Sequence, residues 1–279
     1  MRDKIIEFHK MQGSGNDFVL IDNTKAEVAA EAMSEWAAKI CPRCFSVGAD
    51  GLIFLESPPS GRDLAFQWRF FNSDGSRAEM CGNASRCAAK LAVELGLAGL
   101  EHSFLTDAGP IRAKVAPDLG RVKVELTPPA DLLLNFSLNV LDKETEMHFV
   151  NTGVPHAVML LDDVSTADVK NIGAAVRYHE HFAPKGTNVN FAQIKDRKNI
   201  QLRTYERGVE NETLACGTGA AATGLIAHSL GLVEDKVDVT TTGGEVLTIY
   251  IESGVVFLEG RASKVYRGEL STSDLGLPE

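Results

Sequence analysis

The sequence predicts an α/β protein of the mixed α+β kind. It has two pseudo-symmetric domains, each a curved, mostly antiparallel sheet wrapped around a central helix, with the active site expected in the inter-domain cleft. Three observations predict this: an internal repeat, two helix-like stretches apolar nearly all round, and short alternating segments on either side of them. The halves are expected at residues 1–126 and 127–263, with a C-terminal strand in 264–279 returning to the first half.

The repeat is the strongest of the three. Cys81-Gly82-Asn83-Ala84 opens a helix-like stretch ending at Leu95-Gly96-Leu97, and Cys216-Gly217-Thr218-Gly219 opens another ending at Leu230-Gly231-Leu232. In both, the closing glycine lies 15 residues after the cysteine, and a turn glycine, Gly109 or Gly244, lies 28 after it. A strand-like run precedes each cysteine, Phe66 to Asn72 and Ile200 to Glu206. One offset, 135, relates the cysteines and both pairs of glycines, and the strand-like runs follow at 134. Near the front of each half, Asn16 to Asp22 resembles Pro155 to Asp162 more loosely. Several matches in order at nearly one spacing indicate a duplicated unit.

A helix follows each of those front strands. Thr24 and Glu27 have capping-box spacing, with Val28, Ala32, Trp36 and Ile40 on one face. Ser165 and Asp168 open the counterpart, with Val169, Ile172 and Val176 inward. The stretch from Ala220 to Ala227 is small or apolar on every side, the pattern of a helix buried all round. Val122 to Leu126, Val246 to Ile251 and Val255 to Glu259 alternate as strands do. Pro128-Pro129 is the linker candidate, and Ala262 to Leu270 reads as a last strand.

Composition bounds the function. Across 279 residues, 44% are hydrophobic and 24% charged, and the formal net charge is -10. That balance argues against nucleic acid or an anionic membrane as partner. No apolar run approaches the roughly 20 residues of a spanning helix, and residues 1–10 lack the apolar stretch of a signal peptide. A cytoplasmic location is therefore expected. Five cysteines, an odd number, do not suggest a disulfide framework.

Each cysteine then needs its own explanation. A thiol at the first turn of a helix sits among unpaired backbone N–H groups at the positive end of the dipole, which favours the thiolate. The same N–H groups form an anion site. Two such turns offer a thiolate base, a thiol acid and two carboxylate cradles. That set suits removing a proton from one face of a carbon and returning it to the other. A lone cysteine is ordinarily core filler, and Cys41, Cys44 and Cys87 are read so, or as inert surface. Cys81 and Cys216, equivalent in the repeat, are read as the catalytic pair. Cys41-Pro42-Arg43-Cys44 has no second CxxC and no histidine at ligand spacing, so no metal site is expected.

At these residues the sequence resembles the diaminopimelate epimerase family. The motifs are Phe8 to Phe18, Gly48-Ala49-Asp50-Gly51, Phe71 to Gly75, Met80 to Asn83, Gly153-Val154-Pro155-His156, Gly186 to Phe191, Glu206-Arg207-Gly208 and Ala215 to Gly219, with Val265 to Gly268 also fitting. The resemblance implies a pyridoxal-independent epimerase with no cofactor. Its substrate would be LL- and meso-diaminopimelate, on the route to lysine and peptidoglycan. It implies Cys81 and Cys216 as acid and base, with His156 and Glu206 tuning them. Asn16, Asn72, Asn188, Glu206 and Arg207 would hold the distal amino-acid centre, where an ammonium needs acceptors and a carboxylate a guanidinium. Backbone of Gly82, Asn83, Gly217 and Thr218 would hold the reacting carboxylate. Tyr266 would contact a second copy in a homodimer.

Some members carry Gln at the place of Gly51 and Asn at that of Val154. Those two polar contacts are absent here, or supplied by Asn151 or a water. Two other readings stand beside this one. A related racemase would act on another amino acid such as histidine, although proline racemase-like sequences tend to carry His where Asn83 stands. A thiol redox or metal-binding protein would show a disulfide or zinc.

Overall fold

The computed structural model describes residues 4–278. Two compact units divide the chain: Met1–Val124 with Arg261–Glu279, and Glu125–Gly260.

The first unit contains β1 (Ile5–Gly13), β2 (Asn16–Asp22), α1 (Asn23–Ala26), α2 (Met33–Ile40), β3 (Gly51–Glu56), β4 (Phe66–Asn72), α3 (Gly82–Glu94), β5 (Glu101–Thr106), β6 (Gly109–Ala116), β7 (Arg121–Glu125) and the C-terminal β17 (Ser263–Ser271). The strands neighbour one another in the order β17-β1-β2-β3-β4-β5-β6-β7. Pairings are antiparallel except for β2–β3 and β4–β5. The second unit contains β8 (Ala130–Val140), β9 (Lys143–Asn151), β10 (Pro155–Leu160), α4 (Val169–Arg177), β11 (Asn188–Asp196), β12 (Asn199–Glu206), β13 (Asn211–Thr213), α5 (Gly217–Ser229), β14 (Lys236–Thr240), β15 (Val246–Glu252) and β16 (Val255–Arg261). Its order is β8-β9-β10-β11-β12-β14-β15-β16, with β10–β11 and β12–β14 parallel and the rest antiparallel. The two orders match pairing for pairing. β17 takes in the first unit the place of β8 in the second, and covers an edge of β1 that would otherwise be bare.

Each sheet wraps a helix. α3 packs against β1, β2, β3, β6 and β17; α5 packs against β9, β10, β11, β12, β14 and β15. Ala84, Cys87, Ala88, Ala89, Leu91 and Ala92 have no exposed surface, nor do Ala220, Ala221, Ala222, Ile226 and Ala227. Small residues let the strands close on the helix from several sides. Gly224 is one such residue, since a Cβ there would meet the Ile249 side chain at 3.2 Å. Both helices end alike: Gly96 (φ 74°) and Gly231 (φ 72°) adopt the left-handed conformation. Leu97 N–H then bonds to Ala92 O at 2.8 Å and Leu232 N–H to Ala227 O at 2.9 Å. This is the Schellman stop, which favours glycine.

Two local expectations are corrected. Thr24 and Glu27 do not form a capping box. Asp22 is the N-cap of the four-residue α1, accepting from Thr24 N–H at 3.2 Å, and Glu27 lies past its end at φ 56°. Trp36 and Ile40 belong to α2, which starts only at Met33. In the second unit Asp168, not Ser165, caps α4 and accepts from Asn171 N–H at 3.2 Å.

Leu91 should report the central-helix packing. Leu91→Ala, at a site with no exposed surface, is expected to cost about 2–5 kcal/mol in urea unfolding. A cost under about 1 kcal/mol would contradict the wrapped-helix core.

Candidate active site

Both cysteines predicted to react are helix N-caps. Cys81 (φ −147°, ψ 123°) precedes α3 and Cys216 (φ −130°, ψ 108°) precedes α5. Both are extended, as N-caps are, and neither side chain caps its own helix. Gly82 and Gly217 take the first helical positions, keeping the turn's backbone open to a ligand. Cys216 is 8% exposed and Cys81 half-buried. Cys216 Sγ lies 3.6 Å from Thr218 Oγ1. All five cysteines are thiols. Burial pushes Cys41 and Cys87 up to about 12, so both stay protonated and inert at neutral pH.

Around Cys81 the first unit builds a polar network. The β1–β2 hairpin turns through Ser14 and Gly15, both at positive φ, which brings Asn16 against α3. Asn83 Nδ2 donates to Asn16 Oδ1 at 2.8 Å, and Asn16 Nδ2 to Asp50 Oδ2 at 3.0 Å. Beneath lies Arg86, with no exposed surface. Its guanidinium donates to Asn83 Oδ1 at 2.8 Å, Gly82 O at 3.4 Å, Arg261 O at 3.3 Å and Ser14 Oγ. Asn72, exposed at the end of β4, donates to Ser76 Oγ at 2.9 Å.

The second unit uses different groups around Cys216. His156 on β10, Asn190 on β11 and Thr204 on β12 are all buried. Asn190 and Thr204 are directly opposed across the β11–β12 pair. Thr204 Oγ1 donates to Asn190 Oδ1 at 3.0 Å, while Asn190 Nδ2 bonds to His156 Nδ1 and Ala157 O, each at 3.1 Å. Gly219 admits this network to the helix: a Cβ there would collide with Asn190 Oδ1 and lie 3.2 Å from Cys216 Sγ. Burial first, then the charge of Arg207, pushes His156 down to about 3. Its imidazole is neutral at physiological pH. Thr152 Oγ1 donates to Thr218 O at 3.1 Å and ties the β9–β10 turn to the start of α5.

Glu206 and Arg207 follow at the end of β12. Burial raises the Glu206 pKa, an effect partly offset by Thr213. Asn188 joins two elements here: its Nδ2 donates to Pro155 O and its Oδ1 accepts from Arg207 N–H, both at 2.9 Å. An open cavity of about 660 Å³ lies here, lined among others by Phe149, Asn151, Gly153, Pro155, Lys185 and Arg207.

Comparison with known proteins decides the family. The diaminopimelate epimerase family model matches residues 8–131 and 148–265. The chain belongs to the diaminopimelate epimerase family. It is 49% identical over 271 residues to diaminopimelate epimerase of Hydrogenobaculum sp. (strain Y04AAS1), covering 94% of this chain and 97% of that one. It is 47% identical over 275 residues to diaminopimelate epimerase of Aquifex aeolicus (strain VF5), covering 95% and 98%. The solved structure of a methylitaconate-delta-isomerase shares the fold, with TM-score 0.72 at 13% identity over 100% of this chain and 98% of that one. A PhzF-family phenazine biosynthesis protein from Bacillus anthracis shares it too, with TM-score 0.69 at 14% identity over 96% and 99%.

Where some diaminopimelate epimerase family members carry Gln, Gly51 is enforced here by packing. A Cβ would meet the Phe70 ring at 2.6 Å and Phe71 O at 2.7 Å. The CxxC segment has a structural use: it presents Arg43, which bonds to Asp17 at 2.5 Å and to Asp50 at 2.9 Å. Among the described residues no three His, Cys, Asp or Glu side chains group to hold a metal, and no helix is long and apolar enough to cross a membrane. Tyr266 is 45% exposed on β17, with its ring edge-on to Phe8.

Sequence reasoning assigned no role to Arg86, Asn190, Thr204 or Thr152. Spacing offered a signal for two of them. Arg86 stands three and four residues after Asn83 and Gly82, within reach on a helix. Asn190 stands two after Asn188 and so shares its strand face.

The neutral His156 carries a pH prediction. Unfolded histidine titrates near 6.5, whereas folded His156 stays neutral down to about 3. The unfolded state therefore binds the extra proton between those values, and stability falls as pH drops, by about 1.4 kcal/mol per unit below 6.5. Between pH 7 and 5, His156→Gln is expected to lose about 2 kcal/mol less than the parent in urea unfolding. Equal losses would show His156 to be titrating normally.

Proposed function

We propose that this protein is a diaminopimelate epimerase, an isomerase interconverting the LL and meso forms with Cys81 and Cys216 as its acid–base pair. The observation that carries the reading is the duplicated N-cap cysteine, present twice in a chain of this family. One sulfur, as thiolate, takes the α-proton. The other, as thiol, delivers a proton to the opposite face of the same carbon. Two exchangeable sulfurs supply both acid and base, so no cofactor is required.

The α-proton is weakly acidic, and its removal builds negative charge on the adjoining carboxylate. Backbone N–H groups of Gly82, Asn83, Gly217 and Thr218, at the positive ends of α3 and α5, stabilise that charge as it develops. Thr152 and Arg86 hold those turns in shape through Thr218 O and Gly82 O. Arg207 supplies the guanidinium for the distal carboxylate. Glu206, Asn16, Asn72 and Asn188 supply polar partners for that end. With Gly51 and Val154 bearing no polar side chain, Asn151, which lines the cavity with Arg207, takes over one distal contact. A product on the route to lysine and peptidoglycan fits a cytoplasmic enzyme, and five thiols without a disulfide fit a reducing compartment. The exposed Tyr266 on β17 is proposed as a homodimer contact.

Incubation with LL-diaminopimelate in heavy water tests the reading. Solvent deuterium is expected at the inverted α-carbon of the meso product. Cys81→Ala and Cys216→Ala are each expected to lower kcat by about 100-fold or more. Full activity in either variant removes the two-thiol mechanism. Turnover of histidine or proline in place of diaminopimelate would move the enzyme to a related racemase.

A further inference from the structure

Asn190 has no role in the reaction described above, yet it occupies a place with only one consistent hydrogen-bond arrangement. The carbonyl of Ala157 can only accept, so the Asn190 amide must turn its NH2 group towards it. The same nitrogen lies 3.1 Å from His156 Nδ1. An NH2 group only donates, so His156 Nδ1 must carry a lone pair, because a proton there would set donor against donor. The Asn190 carbonyl oxygen is held on the other side by the Thr204 hydroxyl at 3.0 Å. A flipped amide would oppose its oxygen to Ala157 O. Gly219 leaves the space that Asn190 Oδ1 fills. All of these residues lie within the second unit.

The proton of the neutral imidazole is therefore on Nε2. That atom is buried and has no hydrogen-bond partner among the described residues. A buried donor without a partner is costly to maintain, and an incoming group that accepts from it is one way that cost is met.

We propose that Asn190, locked by Thr204, is a positioning residue that fixes His156 as its Nε2–H tautomer, so that the imidazole serves the Cys216 turn as a neutral N–H donor and never as a proton carrier. The inference rests on the two-thiol reading for what the donor serves, but not for the tautomer itself. A neutral donor suits this place. It stabilises a thiolate or the carboxylate charge that grows during proton removal, and it adds no third titrating group to a reaction in which two sulfurs already exchange the proton.

Nitrogen-15 NMR of histidine-labelled protein, with His156 assigned through His156→Gln, reads the tautomer directly. The parent is expected to show a lone-pair Nδ1 and a protonated Nε2 between pH 6 and 8. Asn190→Asp, whose carboxylate can only accept, is expected to move a proton onto Nδ1. Asn190→Ala is expected to lose the single fixed tautomer. Kinetically, Asn190→Asp and Asn190→Ala are expected to lower kcat about ten- to hundredfold, with KM changed less than about twofold. The alkylation rate of Cys216 should shift by more than that of Cys81. Thr204→Val keeps the amide while releasing its oxygen, and should broaden the His156 signals with a smaller fall in kcat. It stands as the second variant if those at position 190 do not fold. A parent enzyme with Nδ1 protonated, or Asn190→Asp with tautomer and kcat unchanged, overturns the proposal. Full activity in Cys216→Ala with the Nε2–H tautomer intact would overturn the two-thiol reading and the service to Cys216, while leaving the tautomer lock in place.

Discussion

A helix surrounded by sheet can meet solvent or ligand only at its ends, and this constraint governs both halves of the molecule. Within α3 and α5 every backbone group is paired by the helix itself except at the termini, where the first N–H groups have no intrahelical partner. The C-terminal ends are closed by Schellman turns at Gly96 and Gly231. At the N-terminal ends neither Cys81 nor Cys216 caps its helix with its side chain. The donors that the fold leaves over are thus gathered at two turns, each beside a sulfur. The proposed chemistry falls at these turns because the sheet has covered most of the rest of each helix.

The two units share that frame but support it differently. In the first, Arg86 runs beneath the turn and fastens Gly82, Asn83, Ser14 and Arg261 with one rigid fork. The equivalent position in the second helix is Ala221, a buried residue with no side chain to reach the turn. There the support comes from the strands, through His156, Asn190 and Thr204. A cation beneath one turn and a neutral network beneath the other make the surroundings of the two sulfurs electrostatically unequal. A duplicated backbone does not oblige duplicated chemistry.

Much of this was legible in the sequence because it is periodic. Alternation marks β7, β15 and β16 to within two residues, the strand-like run from Phe66 to Asn72 marks β4, and the 135-residue offset marks the duplication and both N-cap cysteines. What periodicity does not encode was read less well. Thr24 and Glu27 have capping-box spacing, but Asp22 lies nearer the chain's turn and takes the cap first. Asn188 reads as a ligand for substrate, and its position on β11, level with His156 on β10, also lets it bridge Pro155 and Arg207, which the sequence did not signal. Thr204, Asn190 and His156 are far apart in sequence, and only strand pairing makes them neighbours. Gly51 looks like a lost side chain in the sequence. In the structure the Phe70 ring fills the space, so the change belongs to core packing.

Burial also settles where a proton can be stored. His156 is so deeply enclosed that its charged form is excluded across the physiological range. Cys41 and Cys87 hold their protons for the same reason. The interior thus removes one candidate after another from the exchangeable pool. Cys81 and Cys216 differ in kind, because each lies at a helix N-terminus, where a negative charge meets backbone dipoles rather than a purely apolar surrounding. The proposed reaction, in which one sulfur takes a proton while the other gives up a different one, needs such surroundings. Any third group titrating in the same range would compete for those protons and lower the fraction of enzyme in the one protonation state that can react.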